Sequence, residues 1–168
     1  MSKAFTREDD TSDAPVLPPL VSPLPPGARN YLTPEGAERL RSELAGLLDG
    51  ERPRLLSAST TDAEAKRELA KLDQRIRYVQ QSLASAEIVA PATEPRNQVR
   101  FGSTVTVRDS KGRESVYRIV GVDEADFERN EVSWLAPIAR ALMNAKLGGR
   151  VPFKFPTGAT ELEIVKIE

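Results

Sequence analysis

The sequence predicts an α+β chain of two domains, an antiparallel coiled-coil hairpin followed by a small antiparallel β domain with one short helix. Three observations predict it. Ala65, Leu69, Leu72, Ile76, Val79, Leu83 and Ala86 recur at alternating spacings of four and three, the seam of a coiled coil. A second, looser stripe of Ala37, Leu40, Leu44, Leu47, Leu48 and Leu55 precedes it, separated by Ser57-Ala58-Ser59-Thr60, which carries no stripe and favours helix poorly. Beyond residue 98 the apolar period changes from helical to alternating, the pattern of half-buried strands.

Residues 1–30 contain Glu8-Asp9-Asp10 and then Pro15, Pro18, Pro19, Pro23, Pro25 and Pro26, six of the 13 prolines. That density blocks helix and ladder alike, so a disordered or polyproline-II tail is expected, more simply a solvated leader than a ligand for an SH3-like groove. The hairpin is expected over 31–89. Thr33 is placed to cap the first helix, with Pro34 at its first position, where a missing N–H costs nothing. The second arm is expected to restart at Thr61, with Glu64 completing a Thr-x-x-Glu capping box. Arms of about 25 residues are roughly 37 Å long, and a short turn forces them antiparallel. Pro91 and Pro95 mark a linker over 90–97.

In the domain over 98–168, Thr104–Val107 and Val116–Val122 flank a turn at Asp109-Ser110-Lys111-Gly112, with Gly112 supplying the left-handed position. Val132–Leu135, Val151–Phe155 and Leu162–Ile167 read as further strands, the last two joined at Pro156-Thr157-Gly158. Pro137–Lys146 reads as a short helix stopped at Gly148-Gly149. Six of the nine aromatics, Phe101, Tyr117, Phe127, Trp134, Phe153 and Phe155, fall in this domain, where a small sheet needs large side chains for its core; a binding pocket is the alternative.

Composition narrows the chemistry. With 168 residues the chain has material for one or two small domains. It has no cysteine and no histidine, which removes disulfides, thiolate chemistry, the commonest metal ligand and the commonest general base. Carboxylates still hold Mg²⁺ and lysine still serves as a base elsewhere, so enzymes are disfavoured rather than excluded. The net charge of −1 implies no bulk attraction to nucleic acid. No apolar run approaches the roughly 20 residues of a membrane span, and no signal-like segment opens the chain, so a cytoplasmic location without membrane contact is expected.

Four ordered blocks carry a family resemblance: Tyr31-Leu32-Thr33-Pro34-Glu35-Gly36, Glu51-Arg52-Pro53, Leu72-Asp73-Gln74-Arg75-Ile76-Arg77-Tyr78 and Ala136-Pro137-Ile138-Ala139-Arg140-Ala141-Leu142. Together they resemble the GreA/GreB bacterial transcript-cleavage factors, GreB more than GreA, over roughly residues 30–168. The resemblance implies an FKBP-like C-terminal domain that binds the rim of the RNA polymerase secondary channel, and a coiled coil that enters the channel. In that family, acidic residues at the tip help hold Mg²⁺ so that the polymerase cleaves backtracked RNA, two-metal chemistry in which the factor is an accessory and not an enzyme. The factor is expected to act as a monomer.

The tip departs from the family pattern. Between Glu51-Arg52-Pro53 and Arg77-Tyr78 the chain lacks about a dozen residues, which shortens the probe by roughly 9 Å. The family's Gly-Asp-x-x-Glu-Asn-type loop has no counterpart, and only Asp62 and Glu64 stand near the turn. These two are candidates for transient Mg²⁺ binding shared with the polymerase, with no intrinsic cofactor and no stable metal site. Helix capping gives both carboxylates a sufficient local reason to be there.

The matching polymerase-binding positions are Leu135, Ala136 and Pro137, where apolar residues replace the family's frequent polar ones. Arg52, Arg54 and Arg75, on a basic side with Lys66, Arg67, Lys71 and Arg77, are candidates for contact with the nascent RNA 3′ end, against a plain solvated face. The resemblance therefore implies a GreB-like elongation factor with cleavage stimulation in question. A non-cleaving channel occluder is the alternative, and a prolyl isomerase built on the FKBP-like domain is a weaker one, since fold does not carry activity.

Overall fold

A computed structural model describes residues 17–91 and 97–168. The acidic tract, Pro15 and Pro95 lie outside the described residues. Residues 17–29 have no helix or strand and run back across the second helical arm, where Leu20, Ser22 and Leu24 line a hollow with Tyr78, Gln81, Ser82 and Ser85.

A short strand, β1 (Asn30–Leu32), leads into helix α1 (Pro34–Gly46). The expected cap is present: Thr33 is extended, and its hydroxyl accepts the Gly36 N–H at 3.0 Å. The first arm is not one regular helix. A π turn, Leu47–Glu51, intervenes before α2 (Arg52–Ala58). Pro53 explains its position, because proline has no N–H to bond four residues back and its ring crowds the carbonyl there; widening the preceding turn relieves that conflict. The extra residue also rotates the apolar stripe, which leaves Leu48 38% exposed instead of seated in the seam.

Helix α3 (Ala63–Ser85) forms the second arm and buries Ala65, Leu72, Ile76 and Val79, four of the expected seam positions. Ion pairs fix the antiparallel register, with Arg52 Nε on Asp73 at 2.7 Å and Arg75 gripping both oxygens of Glu43 at 2.6 and 2.9 Å. At the base, Leu32, Ala37, Leu40 and Val79 make a small apolar core. Strand β2 (Ala86–Ile88) then pairs in parallel with β1, a ladder of three residues too short to show an alternation in sequence.

The second unit is a five-stranded sheet in the order β5-β4-β3-β7-β6, built from β3 (Thr104–Arg108), β4 (Glu114–Val120), β5 (Glu131–Ser133), β6 (Arg150–Phe155) and β7 (Gly158–Ile167). The sheet is mixed rather than wholly antiparallel, since β4 and β5 run parallel. A 3₁₀ turn, Val122–Glu124, and a tight turn at Asp126–Asn130 make that connection, so Val122 belongs to the turn and not to the strand. A bulge opposite Thr106/Val107 shifts the β7 register, which lets both Ile164 and Ile167 face the core. Gly112 takes φ +79° in the β3–β4 turn, where the Asp109 carboxylate accepts the N–H groups of Lys111 and Arg113.

Helix α4 (Pro137–Leu142) covers the sheet with Ala139 and Leu142. It stops well before Gly148-Gly149, because Asn144 adopts the left-handed conformation at φ 66° and its N–H bonds the Val99 carbonyl at 2.9 Å. The core itself is aliphatic: Val99, Val105, Val107, Ile119, Leu142, Leu162 and Ile164 are fully buried, and Phe101, Tyr117, Trp134, Phe153 and Phe155 pack around them half-buried. Phe127 departs from the expected core, standing 97% exposed on the turn before β5.

Candidate functional site

The hairpin ends in a turn at Ser59–Asp62, and its two carboxylates do different things. Asp62, not Thr61, caps α3. Its backbone is extended and its Oδ1 accepts the Glu64 N–H at 2.9 Å, so helix starts at Ala63 and the expected Thr61–Glu64 box does not form. Asp satisfies an orphan donor and carries a negative charge at the positive end of the dipole, two stabilising effects that threonine offers only in part. Glu64 lies exposed in the first turn.

A tip-borne Mg²⁺ would need oxygen ligands converging in near-octahedral geometry. Asp62 is turned onto its own helix, and among the described residues no group of three or more Asp, Glu, His or Cys converges on a point. Asp62 and Glu64 by themselves do not complete a site for that ion.

Of the three arginines picked out as RNA contacts, Arg52 and Arg75 are held across the hairpin by Asp73 and Glu43. The Glu43 hydrogen bonds, foremost, raise the Arg75 pKa above its ordinary value, and its guanidinium also lies 5.5 Å from the centre of the Tyr78 ring. Arg54 is exposed on α2. Leu135, Ala136 and Pro137 sit together where β5 runs into α4. The Ala136 N–H bonds the Ser133 carbonyl at 2.8 Å, the Leu135 N–H reaches the Ser133 hydroxyl at 3.2 Å, and Pro137 is exposed as the first residue of α4.

The buried carboxylates among the described residues lie at the junction between hairpin and sheet, and sequence reasoning missed them. The Glu124 carboxylate is 1% exposed. It accepts the Thr33 N–H at 2.9 Å, the Gly121 N–H at 2.8 Å and the Thr33 hydroxyl, and Arg39 Nη2 stands 3.8 Å away. Neighbouring Asp123 accepts the Tyr78 hydroxyl at 2.5 Å and the Ser82 hydroxyl. Glu131, 2% exposed, is ringed by Arg39 at 2.9 Å, Arg118 at 3.4 Å and Arg129 at 3.7 Å, and Arg118 also pairs with Glu35. Beside them Tyr31 meets Phe101 in a tilted contact and Trp134 edge to face, with centroids 5.6 and 5.3 Å apart. A buried charge is tolerated only when it is paired and bonded, and these are. One local signal was available: Gly36 stands in the first turn of a helix, where alanine is the better former, a mark of close approach.

Burial, then the bond to Asp123, pushes the Tyr78 phenol up to about 12. Because the folded value exceeds the ordinary 10.0, its contribution is fully present below pH 10 and is lost as pH rises through 12. Tyr78→Phe is therefore expected to be less stable than the parent at pH 8, with the gap narrowing by pH 11; urea midpoints at the two pH values measure it, and a pH-independent gap would contradict it.

Residues 94–168 match the family model described as "Transcription elongation factor, GreA/GreB, C-term". Transcription elongation factor GreB of Neisseria meningitidis serogroup B is 37% identical over 153 residues, covering 83% of this chain and 94% of the relative. Transcription elongation factor GreA of Legionella pneumophila (strain Paris) is 36% identical over 155 residues, covering 84% and 97%. Among solved structures, GreA factor homolog 1 (Gfh1) of Thermus thermophilus aligns at 24% identity over 84% of this chain and 99% of that one, with a TM-score of 0.40. By the identity and coverage of its sequence relatives, this chain belongs to the GreA/GreB family of transcription elongation factors.

Proposed function

We propose that this GreB-like elongation factor docks on RNA polymerase at the rim of the secondary channel through residues 98–168, directs the hairpin of residues 31–89 inward, and modulates elongation without stimulating transcript cleavage. It acts as a cytoplasmic monomer and as an accessory to the polymerase, not as an enzyme. Leu135, Ala136 and Pro137 form the docking point, and of the three candidate arginines exposed Arg54 is the one offered to the RNA 3′ end, since Arg52 and Arg75 are held by carboxylates across the hairpin. Any Mg²⁺ at the reacting phosphate belongs to the polymerase. The observation that carries this reading is the engagement of Asp62 Oδ1 as a helix cap, with Glu64 the other exposed carboxylate at the tip and no third ligand residue converging on them among the described residues.

The test is RNA cleavage in a reconstituted backtracked elongation complex, with this protein alone and in competition with a full-length cleavage factor. The expected result is no acceleration alone and suppression of the competitor. Asp62→Ala is expected to cost about 1 kcal/mol of stability through the lost cap while leaving that suppression in place; Glu64→Ala is expected to change neither. Acceleration that either substitution abolishes would overturn the reading.

A further inference from the structure

We propose that Glu124 is a positioning residue that sets the direction in which the hairpin leaves the sheet domain. The consequence for a docked probe rests on the function proposed above; the mechanical claim does not.

The 3₁₀ turn Val122–Glu124 grips both arms at their base. Glu124 takes the N-terminus of α1, since its carboxylate accepts both the N–H and the hydroxyl of the capping residue Thr33. The Thr33 hydroxyl in turn accepts the Gly36 N–H at 3.0 Å, so one oxygen both caps the helix and ties it to the domain. Asp123 takes the other arm, through Tyr78 and Ser82 of α3. Adjacent carboxylates thus hold two antiparallel helices at once, and rotation of the hairpin about either contact strains the other.

The fit is close. A Cβ on Gly36 would overlap the Glu124 carboxyl group, and one on Gly121 would meet the Tyr31 carbonyl and Glu124 Oε2. The carboxylate also faces the positive end of the α1 dipole with Arg39 nearby, so its charge is held by fixed partners rather than by water. Leverage makes this consequential: on an arm roughly 37 Å long, a 10° change at the base moves the tip about 6 Å. Thr33 and Glu124 are 91 residues apart in sequence, so the contact is purely tertiary.

The chain has no cysteine, which makes labelling direct. Nitroxides on Thr60→Cys at the tip and Lys111→Cys in the β3–β4 turn report the tip-to-domain distance by pulsed dipolar spectroscopy. A narrow distribution is expected for the parent, and a width at least twofold greater for Glu124→Gln, recorded below the onset of melting and with unchanged helical circular dichroism. Thr33→Val, which removes one donor and leaves the carboxylate in place, keeps the test decisive if Glu124→Gln fails to fold; it too is expected to broaden the distribution. An unchanged distribution in a folded variant would overturn the proposal, whereas a merely structural role predicts a lower melting point at constant width. With polymerase, the variant is expected to bind at least tenfold more weakly than the parent and to lose by the same factor in competition with a cleavage factor, because a hairpin held in many directions enters the channel in few of them. Broadening in the variant, together with a parent that never competes, would retain Glu124 as the positioning residue and refute the channel reading.

Discussion

Gly36→Ala is expected to destabilise the protein by about 2–5 kcal/mol, although the same change at an open helical position stabilises. Alanine is the better helix former by about 1 kcal/mol, so helix propensity alone predicts a gain. The added methyl at position 36, however, occupies the space of the Glu124 carboxyl group. Either the group moves and abandons the Thr33 and Gly121 donors while still buried, or α1 shifts away from the sheet. Overpacking costs about 1–3 kcal/mol and a buried charged group deprived of its bonds adds a comparable amount, so the clash outweighs the propensity. Gly46→Ala and Gly50→Ala supply the control: a Cβ at either site meets nothing within 4 Å, and each is expected to be neutral or to gain up to about 1 kcal/mol. Urea denaturation of the three variants measures this, and a stabilised Gly36→Ala would mean that the junction yields without cost.

Ile164→Ala is expected to lose about 3–5 kcal/mol. Ile164 is fully buried in β7, pairs with Val107 across the bulge, and packs in the cluster that includes Ala139 and Leu142 of α4. A small sheet closed on one side by a helix of six residues has little means of collapsing onto the resulting void, which places the site towards the costly end for such truncations. Since domains of this size are stable by only about 5–15 kcal/mol, the variant is expected to show partial unfolding near 37 °C and correspondingly weakened docking on polymerase. Val116→Ala on the same sheet, at a side chain 41% exposed, is expected to lose under about 1 kcal/mol. Equal losses at the two sites would contradict the assignment of the core.

The two variants differ in how visible their causes are in sequence. Ile164 belongs to an alternating run, and alternation is a local consequence of side chains pointing to opposite faces of a strand. The seam residues Leu72, Ile76 and Val79 were legible for the corresponding reason in a helix. Thr33 followed by Pro34 announced the start of α1 because capping is settled within one turn of chain. The same logic misplaced the start of α3 by one residue, because Thr61 and Asp62 both satisfy the cap pattern and only the backbone decides which one turns its oxygen inward. Phe127 shows the opposite failure: an aromatic in a small domain suggests core, yet its turn holds it out in solvent.

By itself, the sequence determined the helical hairpin, the strands that follow it, the family, and the lack of an acidic string at the tip, since each is written in neighbouring residues through period, propensity or motif. Tertiary structure alone decided that β4 and β5 run parallel, that a π turn accommodates Pro53 within the first arm, and that Asp123 and Glu124 clasp the two helices. Those features depend on groups brought together from distant parts of the chain or on the relief of one steric conflict among several available ways. A buried carboxylate and the glycine that makes room for it, 88 positions away, share no period; their partnership exists only after the chain has folded.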